Sequence, residues 1–298
     1  MKPTLVILAA GMGSRYGKLK QMDSFGPNGE TIIDYSIYDA IQAGFGKIVF
    51  VVRDSFKDEF QAQMDKKFKG KVELEYVTQE LTHIPDGIPV HEERQKPWGT
   101  AHAVWVAKDV VNEPFAVINA DDFYGSDSYK VLVDYLSKED NDNYAVVAYY
   151  LKNTLSDHGT VNRGVCYSDD HGNLSDVVEC VKISKGDDGV ISYPEGEGTK
   201  TLEEDTLVSM NMWAFQPSYF QFVEEQFTDF LKERGMELKS EFYIPSVVDK
   251  LIKDGKLDVN VLDTNSSWFG VTYQEDKPIV MEKLNTLIKQ GAYPEKLY

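Results

Sequence analysis

Cysteine is nearly missing from this chain: two of its 298 residues, Cys166 and Cys180. They have no metal-ligand spacing, and are expected to be reduced, partly buried thiols of a cytosolic protein. No stretch approaches the ~20 apolar residues of a membrane span, so a membrane partner is not expected. Met1-Lys2-Pro3-Thr4 leads directly into a strand pattern and not into a signal-peptide core. Positive charge is also short, with 31 Lys and Arg against 49 Asp and Glu and a net charge of −18. That balance repels nucleic-acid backbones, and no nucleic-acid partner is expected. Nor is there an internal repeat, a low-complexity tract or a Pro/Gly/Ser linker long enough to separate independent domains.

The most informative absence is local. The first 22 residues hold no carboxylate, where the chain average would place several, yet they carry Lys2, Arg15, Lys18 and Lys20. An apolar run, Leu5-Val6-Ile7-Leu8-Ala9-Ala10, enters this basic stretch through Gly11-Met12-Gly13-Ser14-Arg15. Glycines let successive backbone N–H groups converge on an anion without Cβ interference. Cationic side chains then supply the charge that polyphosphate needs. The stretch therefore points to a phosphate site, although a plain strand-to-helix turn gives the same glycines. A P-loop string is absent, and Gly11, Gly13 and Gly17 miss the dinucleotide spacing by one. A hydride-transferring Rossmann enzyme accordingly lacks its fingerprint.

Strand and helix patterns alternate through the first half. Leu5–Ala9 and Lys47–Val52 are short apolar runs suited to a parallel sheet covered on both faces. Between them Thr31 caps a helix with Ile33, Ile37 and Ile41 at four-residue spacing, closed by Gly44. Val72–Val77, Phe115–Asn119 and Tyr144–Leu151 read as further strands. After Asn153, strands are expected at Gly164–Ser168, Leu174–Ile183 and Leu207–Ala214, with a charged loop from Ser184 to Asp205. Helices follow at Ser218–Arg234, Glu241–Lys253 and Glu275–Gln290. The β-α-β rhythm implies right-handed crossovers and ligands at the carboxyl ends of the strands.

Two more stretches carry chemistry. A long polar loop, Glu80 to Lys96, precedes Pro97-Trp98-Gly99-Thr100-Ala101-His102-Ala103. Loops of that size in a compact domain are usually lids or binding loops. His102 reads as a helix-face histidine and not as a catalyst. Further on, the apolar Phe115-Ala116-Val117-Ile118-Asn119 delivers Asp121 and Asp122 at its carboxyl end. A carboxylate there faces the cleft of an open sheet. Mg²⁺ in nucleotide enzymes is commonly held by one or two carboxylates together with phosphate oxygens and water.

Leu8-Ala9-Ala10-Gly11-Met12-Gly13-Ser14-Arg15, followed by Lys20-Gln21, resembles the opening of the sugar-1-phosphate nucleotidylyltransferases, the nucleotide-sugar pyrophosphorylases. The resemblance implies an α/β, Rossmann-like (GT-A-like) fold. Its mixed, mostly parallel sheet is flanked by helices and carries a smaller acceptor-binding subdomain. Residues 1–298 then form one nucleotidyltransferase domain. Its nucleotide-binding half is 1–125, and its acceptor-binding half, with the C-terminal helices, is 126–298. The resemblance gives Arg15 and Lys20 the catalytic roles, on the β,γ-phosphates and between donor and acceptor. Ala10, Gly11, Gly13, Gln79, Gly99 and Thr100 become nucleotide-binding, with Gln79 reading a pyrimidine edge. Asp121 holds Mg²⁺, the implied cofactor, while Gly164 (in Arg163-Gly164-Val165), Glu179 and Asn211 bind the acceptor. Glu241-Phe242-Tyr243-Ile244-Pro245 resembles the stretch that opens a helix near the active site.

One departure stands out. The family's Trp-x-Asp-x-Gly-Thr segment supplies a second metal aspartate, but here Trp268-Phe269-Gly270 puts glycine in its place. Asp263, Asp276, or water and phosphate oxygens beside Asp121 are the alternatives. The expected activity is transfer of UMP or dTMP from its triphosphate to a sugar-1-phosphate, the two substrates being the expected partners, with release of pyrophosphate. A phosphocholine-type cytidylyltransferase and an inactive nucleotide-sugar-binding regulator are the competing readings.

Overall fold

A computed structural model describes residues 1–11, 23–139, 141–156, 159–271 and 276–298. The chain opens as β1 (Thr4–Leu8), α1 (Ile32–Ala43), β2 (Lys47–Val52), α2 (Lys57–Phe68), β3 (Glu73–Thr78) and α3 (Thr100–Trp105). It continues as β4 (Phe115–Asn119), β5 (Asp122–Phe123), α4 (Ser126–Leu136), β6 (Tyr144–Tyr150), β7 (Val161–Ser168) and β8 (Leu174–Lys185). The last third holds β9 (Ile191–Glu195), β10 (Gly198–Leu202), β11 (Leu207–Phe215), α5 (Tyr219–Arg234), α6 (Ile244–Lys253), β12 (Val259–Thr264), β13 (Phe269–Gly270) and α7 (Lys277–Lys289).

The apolar runs fill the sheet as both-face burial requires. Along β1, Leu5 and Ile7 pack toward α1 with Ile33 and Ile37, while Val6 packs on the other face with Trp98 and Ala101. The same alternation divides Ile48 and Phe50 from Val49 and Val51 on β2. Strands β3, β2, β1 and β4 are parallel neighbours, in the register Leu8↔Val51 and Leu8↔Asn119. Antiparallel pairing takes over at β11 and continues through β7, β8, β9 and β10, so one sheet runs through both halves of the chain. The expected fold class, a mixed sheet flanked by helices, is borne out.

At β11 the sheet forks. Trp213–Phe215 pair with β4, whereas Val208 and Ser209 pair with β7, and β6 lines the opposite side of both segments. The register against β6 shifts between Ser209 and Trp213, and within this bulge Asn211 takes φ +60°. A non-glycine residue held in the left-handed region marks a backbone fixed by its surroundings.

The charged stretch from Ser184 to Asp205 is not a simple loop: it contains the β9–β10 hairpin. Few residues there are apolar, and Ile191 and Tyr193 are buried in the cluster that holds Cys180 and Ile183. Helix α2 hides its pattern in a similar way, with Phe60, Met64 and Phe68 buried among lysines and acids.

The C-terminal segment closes over the parallel half. Phe123 stacks on Phe269 at 4.3 Å, and both pack with Tyr35, Val280, Leu284 and Tyr293. Tyr293 donates a 2.6 Å hydrogen bond to the buried Asp39 of α1. Burial raises the Asp39 carboxyl to about 7, against the opposing pull of Tyr293 and Lys130. Between pH 4 and 7 the unfolded chain therefore releases this proton while the native chain keeps it, and Asp39's contribution to stability falls as pH rises. Asp39→Asn should flatten that slope and be more stable than wild type at pH 8, by on the order of 1–3 kcal/mol. Thermal unfolding of both proteins across pH 4–8 checks this, with the difference expected to grow through the window.

Candidate active site

The carboxyl ends of β1, β4, β2 and β3 meet along one edge. Ala9 donates its backbone N–H to Val51 O at 2.8 Å, and Ala120 donates to Leu8 O at 3.1 Å. These bonds set Ala10 and Gly11, which follow β1, beside the turn at Asp121, which follows β4. Ala10 is buried and Gly11 is exposed. Arg15, Lys20 and Gly13 lie outside the described residues.

Gln79 follows β3 and is anchored by its backbone N–H to Val52 O at 2.8 Å. Its side chain is almost wholly buried, and its orientation is decided by its neighbours. The amide nitrogen lies 3.0 Å from Gly99 O and 3.1 Å from His102 Nδ1. His102 is fully buried, stacked on Phe227 with ring centroids 5.0 Å apart, and its Nε2 sits 2.6 Å from His83 O. Desolvation lowers its pKa to about 4, so the ring is neutral at physiological pH. A carbonyl only accepts, so the single ring proton is on Nε2 and Nδ1 must accept. Gln79 therefore directs its two amide N–H groups to Gly99 O and His102 Nδ1. The helix-face reading of His102 gains a second part: the ring orients Gln79.

Gly99 stands at φ +105°, and a Cβ added there would sit 2.4 Å from Phe242 O. Two backbone bonds make this contact close, Ala101 N to Phe242 O at 3.1 Å and Phe242 N to Trp98 O at 2.6 Å. Thr100 accepts the Ile244 backbone N–H on its hydroxyl at 3.2 Å and so holds the start of α6. The Glu241–Pro245 stretch thus packs against residues 98–101 through Phe242 and Ile244. The long loop before Gly99 is pinned by Arg94, which sequence reading had passed over. Its guanidinium lies 3.4 Å from the Trp98 ring centroid and donates to Glu237 O at 2.6 Å and Ser240 O at 2.5 Å.

At the fork, a directed chain of hydrogen bonds crosses from β11 to β4. Trp213 Nε1 donates to Asn211 Oδ1 at 2.9 Å, Asn211 Nδ2 to Asn119 Oδ1 at 2.8 Å, and Asn119 Nδ2 to Asp122 Oδ2 at 2.9 Å. An indole N–H can only donate and a carboxylate can only accept, so both asparagine orientations follow. Asn211 is therefore braced at both ends of its amide. Gly164 on β7 faces Glu179 on β8 in register, and a Cβ at Gly164 would meet Val177 at 2.8 Å. Burial raises the Glu179 carboxyl, partly offset by Arg163. Arg163 is itself buried, lowered to about 10 by desolvation, and bonded to Thr154 and to Asn162 O at 2.8 Å.

Among the described residues no group of three or more His, Cys, Asp or Glu gathers as a metal cage. The oxygen donors after β4 nevertheless suit a hard cation completed by phosphate and water. Strands β5 and β13 pair so that Asp122 stands opposite Gly270, and a Cβ at 270 would fall 2.5 Å from Asp122 Oδ1. Asp263 accepts from the Tyr150 hydroxyl at 2.6 Å on β12. Asn119 and Asp122 were within reach of sequence reading, because they flank Asp121. Their importance shows only once β11 and β13 are folded against them.

Residues 4–273 match the nucleotidyl transferase family. The chain belongs to this family and is a nucleotidyltransferase, so the resemblance to the sugar-1-phosphate enzymes holds. UTP–glucose-1-phosphate uridylyltransferase 1 of Staphylococcus saprophyticus is 24% identical over 234 residues, 74% of each chain. The UTP–glucose-1-phosphate uridylyltransferase of Bacillus subtilis is 32% identical over 129 residues, 39% of this chain and 43% of that enzyme. The chain thus matches less than half of the Bacillus relative's length. The inositol-1-phosphate CTP transferase of T. maritima shares the fold at a TM-score of 0.62 and 15% identity, over 95% of this chain and 96% of that one. None of the helices among the described residues is long and apolar enough to cross a membrane.

Gly99→Ala should be strongly destabilising, because it adds left-handed strain and a collision with backbone that has no room to yield. A loss of about 2–4 kcal/mol is expected in chemical denaturation.

Proposed function

We propose that this nucleotidyltransferase moves UMP or dTMP from its triphosphate to a sugar-1-phosphate and releases pyrophosphate. The orientation of Gln79 carries the base assignment. With both amide N–H groups engaged by Gly99 O and His102 Nδ1, the carboxamide oxygen is the atom that accepts a hydrogen bond from the N3–H of uracil or thymine, a donor that cytosine lacks. The uridylyltransferase activity in the names of the Staphylococcus and Bacillus relatives supports the same reading.

An oxygen of the acceptor phosphate attacks the α-phosphorus in line, and the α–β bridging P–O bond breaks, expelling pyrophosphate. Such a reaction depends on positioning and charge stabilisation and needs no protein nucleophile. Backbone N–H groups of Ala10, Gly11 and Gly13 cradle the triphosphate, and Arg15 holds its β,γ-phosphates. Lys20 neutralises charge between donor and acceptor. Gly99 and Thr100 support the base, while Gly164 and Glu179 take the sugar against a wall braced by Asn211. Asp121 would hold Mg²⁺, which would supply positive charge to offset that of the phosphates.

Pyrophosphate release measured over a grid of nucleoside triphosphates and sugar-1-phosphates should favour UTP or dTTP roughly tenfold or more, the value of one matched buried hydrogen bond. Gln79→Ala should erode that preference with the phosphate chemistry still working. A purine nucleotide sugar as main product would remove the base assignment.

Lys20→Ala should lower kcat by roughly 10²–10³-fold, as removal of a preorganised charge partner does. A folded Lys20→Ala enzyme with wild-type turnover rules out the role given to that residue. Chelation should abolish product formation. If wild type binds nucleotide sugar but never turns over, the chain is a regulator.

A further inference from the structure

The glycine at 270 needs an explanation that its backbone does not give. Its φ is not among the positive values that favour glycine elsewhere in this chain. What the position lacks is room: a Cβ there would lie 2.5 Å from Asp122 Oδ1 and 3.1 Å from the Trp268 ring. The Asp122 carboxylate lies in the space that a side chain at 270 would begin to fill. This follows from the two-residue ladder of β5 and β13, in which Asp122 and Gly270 are direct cross-strand partners.

We propose that Asp122, seated over the bare Cα of Gly270, is the second carboxylate ligand of the divalent cation, joining Asp121 at the end of β4. The proposal rests on the magnesium reading given above and names a ligand that reading leaves open. The Asp122 carboxylate is held, and not merely nearby. Its Oδ2 accepts from Asn119 Nδ2 at 2.9 Å and from the Tyr124 hydroxyl at 3.4 Å. Asn119 is fixed in turn by Asn211 and Trp213, and the Tyr124 hydroxyl lies 3.1 Å from Asn119 N and 3.2 Å from Met210 O. Oδ1 lies on the β13 side, against Gly270. A hard cation takes one or two carboxylates and completes its shell with phosphate and water, which a pair of adjacent aspartates provides. Residues 122 and 270 have in effect divided one place between them: one strand supplies the carboxylate and the facing strand supplies the vacancy.

The swap across the ladder tests this. Binding of Mn²⁺ alone to the full chain is measured by the loss of free-ion EPR signal, with circular dichroism and melting temperature as controls for folding. Asp122→Asn, nearly isosteric, should weaken Mn²⁺ binding roughly tenfold or more. Gly270→Ala removes no charge, yet should weaken binding by a comparable factor, because its methyl group displaces the carboxylate. The double variant Asp122→Gly/Gly270→Asp returns the carboxylate to the same space from the opposite strand. It should recover most of the affinity that Asp122→Gly alone loses, a rescue that a purely structural role of Asp122 would not give. Wild-type Mn²⁺ affinity in folded Asp122→Asn, together with its loss in Asp121→Asn, overturns the assignment and leaves the magnesium reading standing. No Mn²⁺ bound by wild type, together with chelator-resistant pyrophosphate release, overturns both.

Discussion

The junction between the parallel and antiparallel parts of the sheet hangs on the fork in β11. A strand has two edges, and β11 uses one for β6 and divides the other between β7 and β4. Two neighbours cannot pair with one edge at the same place, so the backbone between Ser209 and Trp213 must leave the ladder. The left-handed Asn211 is where it does so. The fork lies where β11 leaves β4, the strand that delivers Asn119 toward the carboxyl edge of the parallel sheet. The antiparallel extension begins on the other segment of β11, with Gly164 opposite Ser209 and facing Glu179.

Bulges leave polar groups without ladder partners, and buried ones must find others. Here Met210 O accepts from the Tyr124 hydroxyl and Asn211 N donates to Ser209 Oγ, while the side chains form a chain from Trp213 through Asn211 and Asn119 to Asp122. The chain has a single sense, from an obligatory donor to an obligatory acceptor, so neither asparagine can flip without losing two bonds. At the end of β3 the same device recurs, with His83 O fixing the His102 tautomer and His102 fixing Gln79. In both places a buried partner decides how an amide is turned. Such networks specify one arrangement because a half-satisfied version is costly in a low dielectric.

Much of the architecture could be read from the chain alone. Helix α1 runs between its Thr31 cap and Gly44, and β2 and β4 have the limits that their apolar runs suggest. These elements are long, periodic and bounded by residues with a local conformational reason to stop. The β9–β10 hairpin and helix α2 were not legible, because charged residues outnumber the few apolar ones they bury. Arg94 gave no signal either. Its partners are carbonyls at Glu237 and Ser240, more than 140 positions away, and an aromatic face.

The sequence by itself pointed to a phosphate site, and its resemblance to the sugar-1-phosphate nucleotidylyltransferases to the reaction class. A carboxylate-free, glycine-rich basic stretch after the first strand, and an aspartate at the end of another, are local features that can be read without knowing the fold. It also exposed the missing aspartate at 270. Only the tertiary structure decided that Asp122 stands across from the glycine there and which atoms of Gln79 are engaged by its neighbours. Both answers depend on cross-strand register and on the tautomer of a distant ring, properties of pairs brought together by folding. A single chain position encodes what a side chain is able to do, and the neighbours that select among those abilities lie far from it along the sequence.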